Sequence, residues 1–324
     1  WFAVVNVFAA SKKAASLWEE SERYLREAGV VFHGTRTGKA GNVAELTFDA
    51  CMAGYRKFIA VGGDGTVHDV LNGIAGFIDW NKAYGKSYSF SEFALGVIPL
   101  GSGNDWIKSL GITNDLRKAV EVIADGRLSK QDVVRVSMLD RDALPYERET
   151  SVSYMVNVGG IGIDAKVCDH VNRLKSQGRR GKILYVTSLI KAVMERRPSA
   201  LKIICDGDTA FEGRYISVAF GVGKYSGGGM RQTPAAVLDD GLLDMTVIPD
   251  LPMRRIALEA PRLFTGSFLK VPELIVSKSR KILVVPSDMT EPQPVEVDGE
   301  VVGNAPVRFE VLDTQINVVV PPAE

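Results

Sequence analysis

The sequence predicts an α/β domain with a parallel sheet, followed by a second domain built as an antiparallel β-sandwich-like fold. Three observations predict it. Residues 1–125 alternate short apolar runs with amphipathic segments, the pattern of a parallel sheet covered by helices. Beyond about residue 130 the texture changes to β-branched alternation with turn residues between short runs. The 324 residues, at roughly 150 per domain, suffice for two cores. The expected division is 1–128, 129–312 and a closing segment, 313–324, that is free to return to the first domain.

Taken in order, residues 1–8 are the first apolar run. Residues 16–28 carry Leu17, Trp18, Tyr24, Leu25 and Ala28 among charges and stop at Gly29, which reads as a helix. Residues 30–32 read as the second strand. Asn42 with Glu45 three residues on is a capping-box start for a helix through Ala53, closed by Gly54. Residues 58–61 and 94–98 are short buried strands, each running into a glycine-containing polar loop. In the second half, strands are expected at 133–136, 152–156, 201–204, 215–218 and 282–285, and helices at 182–195 and 253–264. There is no internal repeat or proline-rich linker, so a tight joint between the domains is expected.

Composition narrows the function. Lys plus Arg and Asp plus Glu are each 39, a formal net charge of zero. That balance argues against holding nucleic acid by bulk electrostatics. Cys51, Cys168 and Cys205 lack CxxC spacing, so neither a disulfide framework nor a zinc site is indicated, and a reducing cytosol is the simplest compartment. No apolar run approaches the roughly eighteen residues of a membrane span. The best, 183–190, is broken by Thr187 and Ser188. The start lacks a basic n-region and reads as a core strand rather than a signal peptide.

The sharpest motif is Gly62-Gly63-Asp64-Gly65-Thr66, after a strand and before the helical stretch from Val67 and His68 to Gly73. Glycines let backbone N–H groups converge on an anion, and the following helix N-terminus adds partial positive charge, which suits a nucleotide phosphate. The plain alternative is a tight turn with Asp64 as a helix cap. Neither a Walker A sequence nor a GxGxxG fingerprint is present. A second loop, Pro99-Leu100-Gly101-Ser102-Gly103-Asn104-Asp105, repeats the arrangement at the next strand end, and two such loops make a crevice where ligands of open α/β sheets bind. Ser102 and Asn104 can hydrogen-bond phosphate oxygens or the nucleoside. Asp105 is either a cap for a helix over 106–110 or a catalytic group.

Together these residues resemble the ATP-binding half of the diacylglycerol kinase and sphingosine kinase superfamily, most of all its soluble bacterial lipid kinases. Residues 157–164, 238–244 and 297–300 resemble that family's later blocks in the same order, so the likeness covers nearly the whole chain. The resemblance implies an α/β nucleotide domain like that of NAD kinase, a β-rich second domain and an active site in the cleft between them. It implies ATP and Mg²⁺, and phosphorylation of a lipid hydroxyl. The family's nucleotide contacts fall on Asn6, Thr37, the loop Gly62, Gly63, Asp64, Gly65, Thr66, Val67 and His68, and Ser102. Asn6-Val7 departs from the usual Asn-Pro, His68 stands where Asn is common, and Ser102 replaces Thr but keeps the hydroxyl.

Asp240-Gly241 reads by itself as a hairpin turn. By resemblance, the Asp240 side chain with the carbonyls of Val237 and Leu242 holds Mg²⁺. Asp298-Gly299 between alternating valines is a hairpin signal too. By resemblance, Glu300 is the proton acceptor and Asp298 its support, and a rigid turn would fix such a group for phosphoryl transfer.

Two basic clusters, Arg173, Lys175, Arg179, Arg180 and Lys182, then Arg254, Arg255 and Arg262, are either an anionic-membrane docking face or solvated surface. The glycine-rich 225–229 loop is either a mobile lip of a lipid pocket or a connection. His33 and His170 have no assigned role. The expected protein is a cytoplasmic lipid kinase, peripheral to the inner face of the membrane, acting on a lipid with a free hydroxyl, with a homodimer left open and no nucleic-acid partner. An NAD kinase-like enzyme and a catalytically silent lipid-binding protein of the same fold are the alternatives.

Overall fold

Central strands of a covered sheet are apolar on both faces, and that requirement arranges the first of two units in this chain. The computed structural model describes residues 1–7, 14–38, 42–101, 103–143, 145–176, 187–188, 191–195 and 199–322. Contacts divide the chain into Trp1–Gln131 with Thr314–Glu324, and Asp132–Asp313. The first unit's strands are β1 (Phe2–Val5), β2 (His33–Arg36), β3 (Lys57–Gly62), β4 (Ala94–Pro99), β5 (Leu128–Gln131) and β17 (Ile316–Val319), in the order β2-β1-β3-β4-β17-β5. All pair in parallel except β5, which runs antiparallel to β17. β1 and β4 are buried throughout. Because β5 pairs with β17, the division falls at 131/132, three residues beyond the 128/129 boundary expected from texture.

The helices are α1 (Ala14–Glu27), α2 (Val43–Met52), α3 (Asp64–Ala83), α4 (Asp105–Ser109) and α5 (Leu116–Asp125). α1 buries Ala14, Trp18, Ser21 and Leu25, the spacing of one helical stripe. Residues 30–32 are not the second strand. The Val30 N–H returns to the Leu25 carbonyl to finish α1, Val31 is 85% exposed, and pairing with β1 begins only at His33. Asn42 precedes α2, yet its side chain makes no cap bond, so the expected capping box is not formed. α5, unread in the sequence, is capped by Asp115, whose carboxylate accepts the Lys118 N–H at 3.1 Å.

The second unit contains β6 (Val134–Leu139), β7 (Glu149–Met155), β8 (Val158–Gly162), α6 (Ile163–Ser176), β9 (Ser199–Cys205), β10 (Asp208–Gly221), β11 (Leu243–Pro249), α7 (Met253–Glu259), α8 (Arg262–Thr265), β12 (Ile275–Ser279), β13 (Lys281–Pro286), β14 (Pro294–Val297), β15 (Glu300–Asn304) and β16 (Val307–Val311). Its strands form one antiparallel sheet, β15-β14-β8-β10-β9-β13-β16-β6-β7, with β11 on β10 and β12 on β11. The sheet wraps one apolar core, in which the rings of Phe220 and Phe309 stack at 4.3 Å. The run expected at 215–218 is part of β10, long enough to pair with β9 along its first half and with β8 and β11 along its second. Pro261 splits the helix expected over 253–264 into α7 and α8. Half of the helix expected over 182–195 lies outside the described residues, and 187–188 and 191–194 are helical.

The first sheet depends on β17. Ile316 is fully buried. Ile316→Ala is expected to cost about 2–5 kcal/mol, measured as a lowered urea midpoint.

Candidate active site

The carboxyl ends of β1, β3 and β4 lie side by side because Val5 pairs with Val61 and Gly62 with Pro99. This register gathers Asn6, Thr37 and the two glycine loops at one edge of the first sheet. α3, twenty residues long, begins there and aims its positive end at the same edge. Gly63 is extended, with φ −106°, so its requirement is space. A Cβ on Gly63 would lie 3.1 Å from Gly101 Cα, and one on Gly101 would lie 2.6 Å from Gly63 Cα. The two loops therefore touch backbone to backbone.

Asp64 does not cap its own helix. Its carboxylate accepts the N–H groups of Asp105 and Trp106, each at 3.0 Å, and so caps α4 from the other loop. The cap expected of Asp105 is supplied by Asp64, while Asp105 itself pairs with Lys108. Asn104 takes the left-handed conformation, φ 48°. It donates its amide to the Gly101 carbonyl at 2.8 Å and to Asn114 Oδ1 at 2.6 Å. Its own Oδ1 is buried without a partner, so what it offers a ligand is an acceptor, suited to a nucleoside hydroxyl rather than to a phosphate oxygen.

Thr37 donates its N–H to the Val5 carbonyl at 2.9 Å, and its Oγ1 is a buried hydroxyl without a partner. Asn6 Nδ2 donates to Thr66 Oγ1 at 3.1 Å, which orients the first turn of α3. Val67 is buried, and His68 is buried with its ring against the Asn72 amide. Ser102 lies outside the described residues. An unpartnered hydroxyl, an unpartnered carbonyl and a cradle that any Cβ would fill are features that fit a nucleotide.

In the second unit, Asp298 (φ 52°) and Gly299 (φ 90°) form the tight turn between β14 and β15, both with the positive φ that a two-residue hairpin requires. The buried Asp298 carboxylate accepts the N–H groups of Val156 at 3.1 Å and Asn157 at 2.9 Å. α6, missed in the sequence, holds the turn from the other side. Cys168 Sγ and Asn172 Nδ2, one helical turn apart, donate to the Gly299 carbonyl at 2.9 and 3.0 Å. Asn172 Nδ2 also lies 3.4 Å from Glu300 Oε2, and Glu300 is exposed. The turn thus presents one accessible carboxylate on a braced backbone.

Beneath it lies a pair of acids that sequence reasoning did not single out, Glu296 buried and Asp164 half-buried. Asp164, at the start of α6, accepts from Ser217 and Gln232. Glu296 accepts the Gly299 N–H at 3.0 Å. Both converge over Gly160, where a Cβ would lie 2.8 Å from Asp164 Cβ and 3.3 Å from Glu296 Oε1. Burial pushes both carboxyls up, and the Asp164 charge pushes Glu296 further, well above the usual carboxylate range. The pairing of β14 with β8, which sets Glu296 opposite Gly160, was the only signal that could have found them, and it is invisible along the chain.

Asp240, expected to hold a divalent ion, accepts the Leu242 N–H at 3.1 Å and pairs with Lys278 at 3.2 Å. An ammonium already occupies the place beside this carboxylate, so Asp240 as it stands, paired with Lys278, does not fit a divalent ion. Among the described residues no group of three or more His, Cys, Asp or Glu side chains is arranged to hold a metal. Several expected basic groups are paired too: Arg173 with Asp169, Arg255 with Glu259 and Glu273, and Arg262 with Glu259. Arg179, Arg180 and Lys182 lie outside the described residues. The 225–229 loop is a closed turn with an antiparallel bridge between Ser226 and Met230. No described helix is long and apolar enough to cross a membrane.

The profile of the diacylglycerol kinase catalytic domain matches residues 1–136, and that of the YegS C-terminal NAD kinase beta sandwich-like domain matches residues 157–320. The chain belongs to the diacylglycerol kinase and YegS-like lipid kinase family. It is 28% identical over 298 residues to a diacylglycerol kinase of Staphylococcus aureus (strain bovine RF122 / ET3-1), covering 92% of this chain and 84% of the relative. It is 24% identical over 311 residues to a "Probable lipid kinase YegS-like" of Enterobacter sp. (strain 638), covering 94% and 92%. A crystal structure of a diacylglycerol kinase from Bacillus anthracis str. Sterne superposes with a TM-score of 0.69 at 19% identity, covering 99% of this chain and 96% of the other. That likeness is one of fold.

A carboxyl whose pKa is raised by folding contributes stability fully below the unfolded value, and that stability falls as pH rises toward the folded value. For Glu296 the fall begins near 4.5 and runs upward. Glu296→Gln keeps an acceptor for Gly299 and removes the ionisation. Its urea midpoint is expected to fall less between pH 5 and 8 than that of the wild type, and to equal or exceed it at pH 8.

Proposed function

We propose that this family member is a lipid kinase that transfers the γ-phosphoryl group of ATP to the free hydroxyl of diacylglycerol or a related lipid. The observation that carries the reading is the occurrence in one chain of a phosphate-sized backbone cradle at the start of α3 and a braced turn that presents a single exposed carboxylate. Relatives that match along most of this chain and are named diacylglycerol kinase support the acceptor class.

ATP is taken to enter as its Mg²⁺ complex, so the metal comes with the substrate. The loop 62–66, the Thr37 hydroxyl and the α3 N-terminus bind the phosphates, Ser102 adds its hydroxyl, and the Asn104 carbonyl accepts from the nucleoside. The lipid oxygen attacks the γ-phosphorus, the bond to the β-phosphate oxygen breaks, ADP leaves, and Glu300 takes the hydroxyl proton. Asp298 and Asn172 hold that carboxylate in place. Contact with a lipid surface fits the exposed Leu258 and Phe264 on α7 and α8.

The deciding experiment offers labelled ATP with diacylglycerol, a sphingoid base, a ceramide, an isoprenoid alcohol and NAD, then identifies the phosphorylated product after extraction. Label on a lipid is expected; label on NAD alone, or on nothing, rejects the reading. Glu300→Gln is expected to lower transfer by about 10²–10⁴-fold while ATP affinity stays unchanged. Retained lipid phosphorylation in that variant removes Glu300 from the role.

A further inference from the structure

In the turn that precedes β11, one ammonium sits among three oxygens. Lys278 Nζ lies 3.0 Å from Asp244 Oδ2, 3.2 Å from Asp240 Oδ2 and 3.2 Å from the Ala235 carbonyl oxygen. The register of β11 on β12 delivers it, since Lys278 pairs directly with Asp244. Two carboxylates and a carbonyl are a hard oxygen set of the kind that binds Mg²⁺ or Ca²⁺. The charge they call for is supplied by the chain: Lys278 hydrogen-bonds Asp240 and the Ala235 carbonyl and meets Asp244 Oδ2, which is buried and accepts no hydrogen bond, as an ion pair alone. The turn is closed by its own bonds as well: Asp240 Oδ1 accepts the Leu242 N–H, and Asp132 accepts the Gly241 N–H at 2.7 Å.

We infer that Lys278 is a tethered cation that fills the acidic turn at Asp240 and Asp244, so that this turn holds its shape without a divalent ion. Three physical reasons support the assignment. The ammonium is carried on the neighbouring strand, so its local concentration far exceeds that of any free ion. A divalent ion entering among the same oxygens would stand within a few ångströms of a like charge, which it must displace. Mg²⁺ also gives up its water reluctantly and demands octahedral ligands, which a turn already closed by backbone hydrogen bonds does not offer. Displacing Lys278 would further leave Asp244, 3% exposed at its side chain, without the cation beside it.

The test uses the full chain without nucleotide or lipid, and it reads ion binding, so its outcome is independent of the lipid kinase assay. Mn²⁺ is titrated by calorimetry, and the thermal midpoint is recorded in EDTA and in Mn²⁺. The wild type is expected to bind no Mn²⁺ at this turn and to unfold at the same midpoint in both. Lys278→Met, which keeps length and removes charge, is expected to unfold earlier in EDTA, to recover in Mn²⁺, and to bind Mn²⁺ at least about tenfold more tightly. Lys278→Arg keeps a cation and is expected to follow the wild type. Saturable Mn²⁺ binding by the wild type that Asp240→Asn abolishes overturns the inference, and this result can be read even if Lys278→Met does not fold. A Lys278→Met chain that folds normally and ignores Mn²⁺ overturns it too.

Discussion

The Asp64 carboxylate bridging to the N–H groups of Asp105 and Trp106 is the contact on which the glycine-loop edge of the first unit depends. The first N–H groups of a helix have no carbonyl of their own, and here those of α4 are met by a residue from the neighbouring loop. That bond brings the loops close enough for Gly63 and Gly101 to touch, and the touch excludes a side chain at Gly101 and crowds one at Gly63. Turned onto the α4 amides, the Asp64 charge joins the two loops into one lip.

The second unit uses the same device. Asp298 also accepts two consecutive backbone N–H groups, those of Val156 and Asn157, and again ties a turn to a segment distant in sequence. Hydrogen bonds to a charged acceptor contribute about 1.5–3 kcal/mol each, enough to fix a two-residue turn that has little apolar contact. The bracing is done by Asp298, Cys168 and Asn172 from below and behind, so Glu300 can stay exposed without being loose. The acids Asp164 and Glu296, both pushed above the usual carboxylate range by burial, add a hydrogen-bonded floor under the turn.

What could be read from the sequence was local. The loops at 62–66 and 99–105 announce themselves by glycine spacing after apolar strands, and Asp298-Gly299 by its place between alternating valines. What could not be read was set by pairing over long separations. Asp64 serves a helix forty-one residues on, Glu296 meets Asp164 only through strand register, and Lys278 reaches Asp240 from thirty-eight residues away. Residues 30–32 misled for the opposite reason. Their apolar composition suits a strand, but the backbone there is engaged in ending α1, and Val31 is left in solvent.

The strand Ile316–Val319 lies between β4 and β5, although the chain builds the whole of the other unit before reaching it. The second unit is therefore an insertion in the first, and the sheet that carries both glycine loops has a gap until residue 319 has emerged from the ribosome. During synthesis the apolar edge of β4 stays unpaired while a complete antiparallel domain forms downstream, which exposes a nascent chain to wrong strand partners. The glycine loops thus rest on a sheet that only a chain translated through β17 can close.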